Sequence, residues 1–219
     1  KTLPDSPSRP SRSATVLALQ ARAFMHERFD DSATEVVNQL AALLDCDRVS
    51  FGLLLRSELK VLSMSGQGTV VSSRHGDVAR IAAAMSEALD QRASVVYPLP
   101  VGSTPAVTLA HKALAQGEAS LLTVPIGTRH EILGAFLLER RRGLFDRKAF
   151  DTAKDVAMFV GPLLALKHRA EKGLGHHVSH ALTLKRGPFA ARRSHALRIA
   201  AACVVTLAVV SAFVPVTQR

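Results

Sequence analysis

The chain has 219 residues, of which 47% are hydrophobic, and a formal net charge of +10 at pH 7. Residues 15–166 carry 16 basic and 16 acidic side chains, whereas residues 167–198 carry eight basic side chains and one acidic one. A nucleic-acid-binding domain carries its basic patch on the folded body, so this distribution argues against nucleic acid as a partner. Two cysteines, Cys46 and Cys203, are too few for a disulfide framework, which suits a reducing cytosol.

The first third of the chain predicts a leader, two helices and a hairpin. Residues 1–14 are rich in Pro, Ser and Arg, a composition typical of disorder. A helix is predicted from about Ser13. A second helix is predicted from Ser32, because Ser32 and Glu35 have the spacing of a capping box. The β-rich stretches "RVSFGLLLR" and "KVLSMSG" then indicate two strands joined by a turn at Ser57 and Glu58.

The remainder of the body alternates helices and strands. "DVARIAAAMSEALDQ" predicts a helix with Asp77 as its N-cap, "SVVYPLP" a short strand, and "STPAVTLAHKALAQG" a further helix. "ASLLTVPI" and "EILGAFLLER" predict two apolar strands. A long amphipathic helix follows, with Asp146 as its N-cap and a kink at Pro162. The predicted order α-α-β-β-α-β-α-β-β-α indicates an α+β sheet domain.

The segment "LLTVPIGTRHEILGAFLLERRRGLFD" resembles the end of a GAF domain. Gly134 and Glu139 occupy the places of that family's central strand glycine and terminal glutamate, and "LLDCDRVSFGLL" and "LSMSGQG" fit its first hairpin. The resemblance covers about residues 15–171. It implies a GAF-like antiparallel sheet of five or six strands flanked by helices, and dimerisation through the terminal helices.

The C-terminal part predicts one transmembrane helix. Residues 199–218 contain no charged side chain, and about 20 such residues are long enough to cross a bilayer. The basic residues before this run favour a cytoplasmic body. The chain thus divides into a disordered leader (1–14), a GAF-like sensor domain (15–171), a basic juxtamembrane linker (172–195), a transmembrane helix (196–216) and a far-side stub (217–219). The expected location is the inner membrane, with a single pass.

This ending also resembles the start of a HlyD-type membrane-fusion protein, the periplasmic adaptor of export machines. There, a basic cytoplasmic stretch and one span precede a lipoyl-like barrel and a coiled-coil hairpin. The resemblance implies that transport or secretion components are partners. The alternative that the sequence leaves open is a complete tail-anchored sensor.

Motifs for catalysis are absent from the sequence. "GQG" is a turn and not a phosphate-binding loop, GxSxG is missing, and we expect no enzyme. The GAF cyclic-nucleotide signature and a bilin-attachment cysteine are missing, and nothing indicates haem. His176, His177 and His180 lack further ligands to complete a metal site. Cys46 is expected to be a small buried side chain.

Ligand binding is the function that the sequence favours, and its cofactor or ligand is unknown. Met64, Tyr97, His111 and Thr123 are candidate pocket residues, since they lie on elements expected to face one cavity; ordinary core packing is the alternative for each. Arg74 and Asp77 in "RHGD" match a short Arg-x-x-Asp pattern used by some cyclic-di-GMP sites, with a helix cap as the alternative. The sequence therefore predicts a membrane-anchored GAF-like sensor that controls a transport or secretion adaptor, or else a ligand-free platform for dimerisation or docking.

Overall fold

The fold is that of a computed structural model, which describes residues 12–66, 75–103, 105–128 and 130–172. The chain divides into two units, Lys1–Glu171 and Lys172–Arg219, and every described residue except Lys172 belongs to the first. The predicted membrane span and residues 1–11 of the predicted disordered leader lie outside the described residues. Residues 12–14 of that leader are helical, so its predicted boundary is wrong there. Among the residues described, no helix is long and apolar enough to cross a membrane.

Within the described ranges, five strands and six helices follow one another in an order close to the predicted one. The helices are α1 (Arg12–Met25), α2 (Phe29–Leu43), α3 (His75–Asp90), α4 (Leu109–Ala115), α5 (Arg147–Phe159) and α6 (161–172). The strands are β1 (Arg48–Leu55), β2 (Glu58–Met64), β3 (Val95–Tyr97), β4 (Ser120–Gly127) and β5 (Ile132–Arg140). They form a single antiparallel sheet of order β2-β1-β5-β4-β3. The predicted α+β class is confirmed.

The sheet is covered by apolar side chains on both faces. On the first face, α1, α2, α5 and α6 pack over a core that includes Phe51 of β1 and Phe136 of β5. On the second, which we call the α3–α4 face, Ile81 and Met85 of α3 pack over Leu121 and Leu137. Successive strand residues alternate between the faces, so the uninterrupted apolar runs of β4 and β5 reflect burial on both sides.

The close approach of β1 and β5 explains why residue 134 is a glycine. This residue lies opposite Leu53 in the register of the two strands. A Cβ atom at Gly134 would overlap the carbonyl oxygen of Gly52. The central glycine on which the GAF resemblance depends is therefore required by strand packing.

Three predicted helix boundaries are wrong, and one is confirmed. Helix α2 begins at Phe29, before Ser32, so the capping box does not form, and the Ser32 hydroxyl instead donates to the carbonyl oxygen of Ala23 at 3.0 Å. Helix α3 begins before Asp77, which pairs with Arg80. Helix α4 begins only at Leu109. Asp146 does cap α5, accepting from the Ala149 amide at 2.7 Å.

The last helical segment is interrupted close to Pro162, as predicted. Helix α5 ends at Phe159 and α6 begins at residue 161. Proline lacks an amide hydrogen and suits the first turn of a helix. At this junction a Cβ atom on Gly161 would come within 2.5 Å of the Ile126 side chain, so the helix passes very close to β4.

Candidate functional site

Four of the six predicted site residues lie on the α3–α4 face. Met64 and Tyr97 contribute to its apolar cluster. His111, on α4, is hydrogen-bonded to Thr123 on β4. Met64, His111 and Thr123 are almost completely buried, with at most 1% of their surface exposed, while Tyr97 is half-buried. The structure therefore places these side chains on one surface, although that surface is filled by protein side chains.

His111 is held between an acid and a hydroxyl. Its Nδ1 lies 2.6 Å from Glu87 Oε1, and its Nε2 lies 2.8 Å from Thr123 Oγ1. With Glu87 ionised, Nδ1–H donates to the carboxylate, which leaves Nε2 to accept the hydroxyl hydrogen of Thr123. Glu87 also accepts from the amide of Ala110 at 2.8 Å. The same carboxylate therefore satisfies the first turn of α4 and fixes the tautomer of the imidazole.

Both ionisable groups of this network have lowered pKa values. Burial lowers the pKa of His111 and outweighs the opposing influence of Glu87. For Glu87, burial raises the pKa, but hydrogen bonds from the Ala110 amide and from His111 outweigh it, so the net pKa is lowered. A neutral imidazole beside an ionised carboxylate is the result at neutral pH. Both ring nitrogens of His111 thus have hydrogen-bond partners, which suits a structural or ligand-contacting role.

Sequence reasoning missed Ser50, the most unusual polar group of this face. Its hydroxyl is fully buried and has no hydrogen-bond partner among the described residues. Ser50 lies on β1 opposite Leu137, whose side chain belongs to the α3–α4 cluster. The available signal was a lone hydroxyl inside the apolar run "RVSFGLLL", two residues from Gly52, which shares its face by strand periodicity.

Two methionines line this face next to the small residues of β1. Met64 and Met85 are both buried in its cluster, and the Met85 sulfur would lie 3.0 Å from a Cβ atom placed on Gly52. Methionine is unbranched and adapts its shape readily. The α3–α4 face thus combines an unsatisfied hydroxyl with side chains able to rearrange around a guest.

Asp77 belongs to a different place in the fold. It lies 2.5 Å from Arg80 and lines a polar cavity of about 210 Å³ at the end of the sheet. None of Met64, Tyr97, His111 or Thr123 lines this cavity. Arg74, its predicted partner, lies outside the described residues. The cavity also contains Arg48 and Glu139, which form a bidentate ion pair at 2.6 and 2.7 Å.

A second cavity lies on the other side of the sheet. It has a volume of about 340 Å³. Its lining comes from α1, α5, the last residues of α2 and β5 and the segments that follow them, and includes Arg12, Leu43, Arg140 and Lys148. Arg140 is not free to bind a ligand there, because its guanidinium donates to the carbonyl oxygens of Leu44, Asp45 and Leu144.

Cys46 has the properties of a packing residue. It is half-buried against the core, and burial raises the pKa of its thiol to about 12. A thiol with so high a pKa is a poor nucleophile at neutral pH. Within the described ranges, no group of three or more His, Cys, Asp or Glu side chains is placed to hold a metal ion. The histidines at 176, 177 and 180 lie outside those ranges.

The family model described as "GAF domain" matches residues 28–163. The chain therefore belongs to the GAF domain family. This match stops short of residues 196–216, so the span and the resemblance to periplasmic adaptors stay predictions. No curated protein matches the chain.

Solved structures similar to this chain include two described as GAF domains and one described as a reductase. The phycocyanobilin-bound GAF domain of a cyanobacterial phytochrome has 15% identity and a TM-score of 0.53, covering 77% of this chain and 99% of its own. The GAF domain of a Coxiella burnetii phosphoenolpyruvate-protein phosphotransferase has 13% identity and a TM-score of 0.51, with 75% and 96% covered. The free methionine-R-sulfoxide reductase of Neisseria meningitidis, solved with its substrate, has 12% identity and a TM-score of 0.51, with 76% and 96% covered. Identities this low establish the fold alone.

GAF domains are in general sensory or regulatory, and the family assignment places this chain in that broad class. The bound molecules named for the cyanobacterial and Neisseria proteins belong to those proteins.

Proposed function

We propose that this chain is a non-catalytic regulatory GAF domain that binds a small molecule at the α3–α4 face of its sheet. The observation that supports this most directly is the Ser50 hydroxyl, buried without a partner among the described residues. A buried hydroxyl without a hydrogen bond costs about 1–3 kcal/mol. A ligand that supplies a hydrogen bond would remove this cost, so its binding would be favoured at this position.

The neighbouring side chains define the class of ligand. The surface around Ser50 is apolar, and the carboxylate of Glu87, elsewhere on the same face, is already occupied by His111 and the Ala110 amide. A strongly charged ligand would find no free opposite charge among these side chains. The proposed ligand is therefore a small, mainly apolar molecule with at least one hydrogen-bonding group, admitted by movement of Met64 and Met85.

Substitution of Ser50 by alanine provides the test. A panel of cytosolic metabolites is screened by thermal shift against the wild type and against Ser50→Ala. Because the substitution removes an unsatisfied group, we expect the ligand-free variant to be at least as stable as the wild type, yet to bind the hit about tenfold more weakly. Ser103→Ala, which removes a hydroxyl from an exposed turn, is the matched control. No saturable binding in the wild type, or equal affinity in Ser50→Ala, would refute the proposal.

We also propose that the domain works as a homodimer at a membrane. Large apolar side chains are exposed along the terminal helices: Leu17 and Phe24 on α1, Met158 and Phe159 on α5, and Leu166 on α6. Exposed apolar surface of this kind is typical of protein interfaces. If the α3–α4 face binds nothing, this surface supports the second candidate function, a ligand-free platform for dimerisation or docking.

The membrane setting is proposed from the sequence. The uncharged run at 199–218 and the basic residues before it support an inner-membrane anchor, through which the domain would control a transport or secretion adaptor. Carbonate extraction of cell membranes tests the anchor: we expect the full chain in the membrane pellet and a chain ending at residue 172 in the supernatant. Release of the full chain by carbonate would refute the anchor without affecting the ligand proposal.

A further inference from the structure

Lys167 of α6 holds the corner where α1 ends and α2 begins. Its ammonium group donates to the carbonyl oxygen of Ala23 at 3.0 Å, to the hydroxyl of Ser32 at 2.7 Å and to the carbonyl oxygen of His26. The last carbonyl groups of a helix lack partners within that helix and attract cations. Lys167 therefore acts as a cap for the end of α1, supplied from a residue more than 140 positions away in the chain.

Glu171, one turn further along α6, holds the start of the next helix. Its carboxylate accepts a hydrogen bond from the amide of Phe29, the first residue of α2. The first amides of a helix likewise lack internal partners and attract anions. Lys167 and Glu171 are four residues apart and lie on the same side of α6. We call this pair, with its contacts to residues 23–32, the corner clamp.

A row of ring contacts joins the corner clamp to the middle of the sheet. The His168 ring lies edge-on to Phe29 with 4.8 Å between ring centres. Phe29 lies 6.1 Å from Phe51, and Phe51 lies 5.1 Å from Phe136. Phe51 sits on β1 between Ser50 and Gly52, whose side of the strand is the α3–α4 face. These ring contacts join β1 to α2 and α6 by direct packing.

We propose that the corner clamp holds α6 against α1 and α2, and that its hydrogen bonds break when a change at the α3–α4 face shifts β1. In the clamped state α6 is fixed to both α1 and α2. In the released state α6 separates from the corner while the sheet stays folded. That a ligand causes the shift of β1 rests on the proposed function. The corner clamp and its link to β1 do not rest on it, so each of these two parts can be tested without a ligand.

The first experiment measures the clamp by hydrogen exchange of the full chain in detergent. Lys167→Met keeps the aliphatic stem and removes the ammonium group; Lys172→Met, an exposed lysine of the same helix, is the control. We expect amides of residues 161–172 to exchange about tenfold faster in Lys167→Met, with residues 120–140 of the sheet and the Lys172→Met protein unchanged. Unchanged exchange in α6, or equal acceleration in the sheet, would overturn the clamp.

The second experiment measures the link to β1. Gly52→Ala places a methyl group 3.0 Å from the Met85 sulfur and 3.1 Å from the Lys60 carbonyl oxygen, whereas Gly76→Ala, the control, adds a methyl group that meets nothing within 4 Å. We expect Gly52→Ala to accelerate exchange in α6, and to add little further acceleration in the Lys167→Met background, because linked sites are not additive. No effect on α6, or full additivity with Lys167→Met, would overturn the link.

Discussion

Removal of the Glu87 carboxylate tests the polar network that fixes α4 to the sheet. Glu87→Ala leaves the Nδ1–H of His111 without an acceptor at a fully buried site. It also removes the acceptor of the Ala110 amide in the first turn of α4. An unsatisfied buried donor costs about 1–3 kcal/mol, and loss of a helix N-cap about 1 kcal/mol. We therefore expect the free energy of unfolding to fall by about 2–4 kcal/mol.

Urea denaturation of residues 1–172 at pH 7.5, followed by circular dichroism, measures this loss. For a domain of this size, 1 kcal/mol shifts the melting temperature by about 2–4 °C, so a parallel melt should fall by roughly 10 °C. Glu87→Gln keeps a carbonyl acceptor for His111 and should lose no more than about 1 kcal/mol. Glu58→Ala, at an exposed carboxylate of β2, is the control. Equal losses in the Ala and Gln variants, or a loss in Glu87→Ala no larger than in Glu58→Ala, would refute the hydrogen-bonding argument.

Three further predictions concern acid stability, strand packing and association. The pKa values of His111 and Glu87 lie below their ordinary 6.5 and 4.5 in the folded state, so the unfolded chain binds more protons in acid. The free energy of unfolding should therefore decrease as the pH drops below 6.5 and decrease again below 4.5. His111→Gln should reduce the first of these decreases. A wild-type free energy of unfolding that stays constant from pH 7 to 5 would contradict this prediction. Gly134→Ala should lose about 3 kcal/mol or more by urea titration. Gly76→Ala, in helix α3 where a Cβ atom meets nothing within 4 Å, should be neutral or gain up to about 1 kcal/mol; similar losses in the two variants would refute the close approach. Phe159→Asp should give a monomer in light scattering while Leu144→Asp stays dimeric; a dimer in both would exclude the terminal-helix interface.

The elements of the fold were predictable because their apolar periodicity is strong. The hairpin of β1 and β2, the two apolar strands β4 and β5 and the Asp146 cap all follow from local patterns. Helix boundaries were less predictable where distant residues determine them. The first turn of α4 is satisfied by Glu87, 23 residues earlier, and the late start at Leu109 could not be read from the Ser-x-Pro signal alone.

Ser32 shows how a local signal can be displaced by a tertiary contact. Its spacing to Glu35 matches a capping box, yet its hydroxyl is bonded to the Ala23 carbonyl oxygen and to Lys167. Helix α2 starts at Phe29 instead, whose amide is satisfied by Glu171. Contacts between residues so far apart in the chain cannot be predicted from the spacing of residues in a single sequence.

The candidate site was predictable in part for the same reason. The grouping of Met64, Tyr97, His111 and Thr123 on one face follows from strand alternation and element order. Asp77 pairs locally with Arg80, three residues further along α3, whereas the unsatisfied state of Ser50 depends on how the elements pack together. A hydroxyl in a strand reads as unremarkable until the structure shows that no described residue satisfies it.

The most direct test of ligand binding at the α3–α4 face is a hydrogen-exchange footprint of the full chain with the metabolite found by thermal shift. The ligand should slow exchange in α3, α4 and the β1 segment around Ser50, while α1 and the first turns of α5 keep their rates. Protection confined to α1 and α5, with α3 and α4 unchanged, would place the ligand on the other side of the sheet and contradict the proposed site.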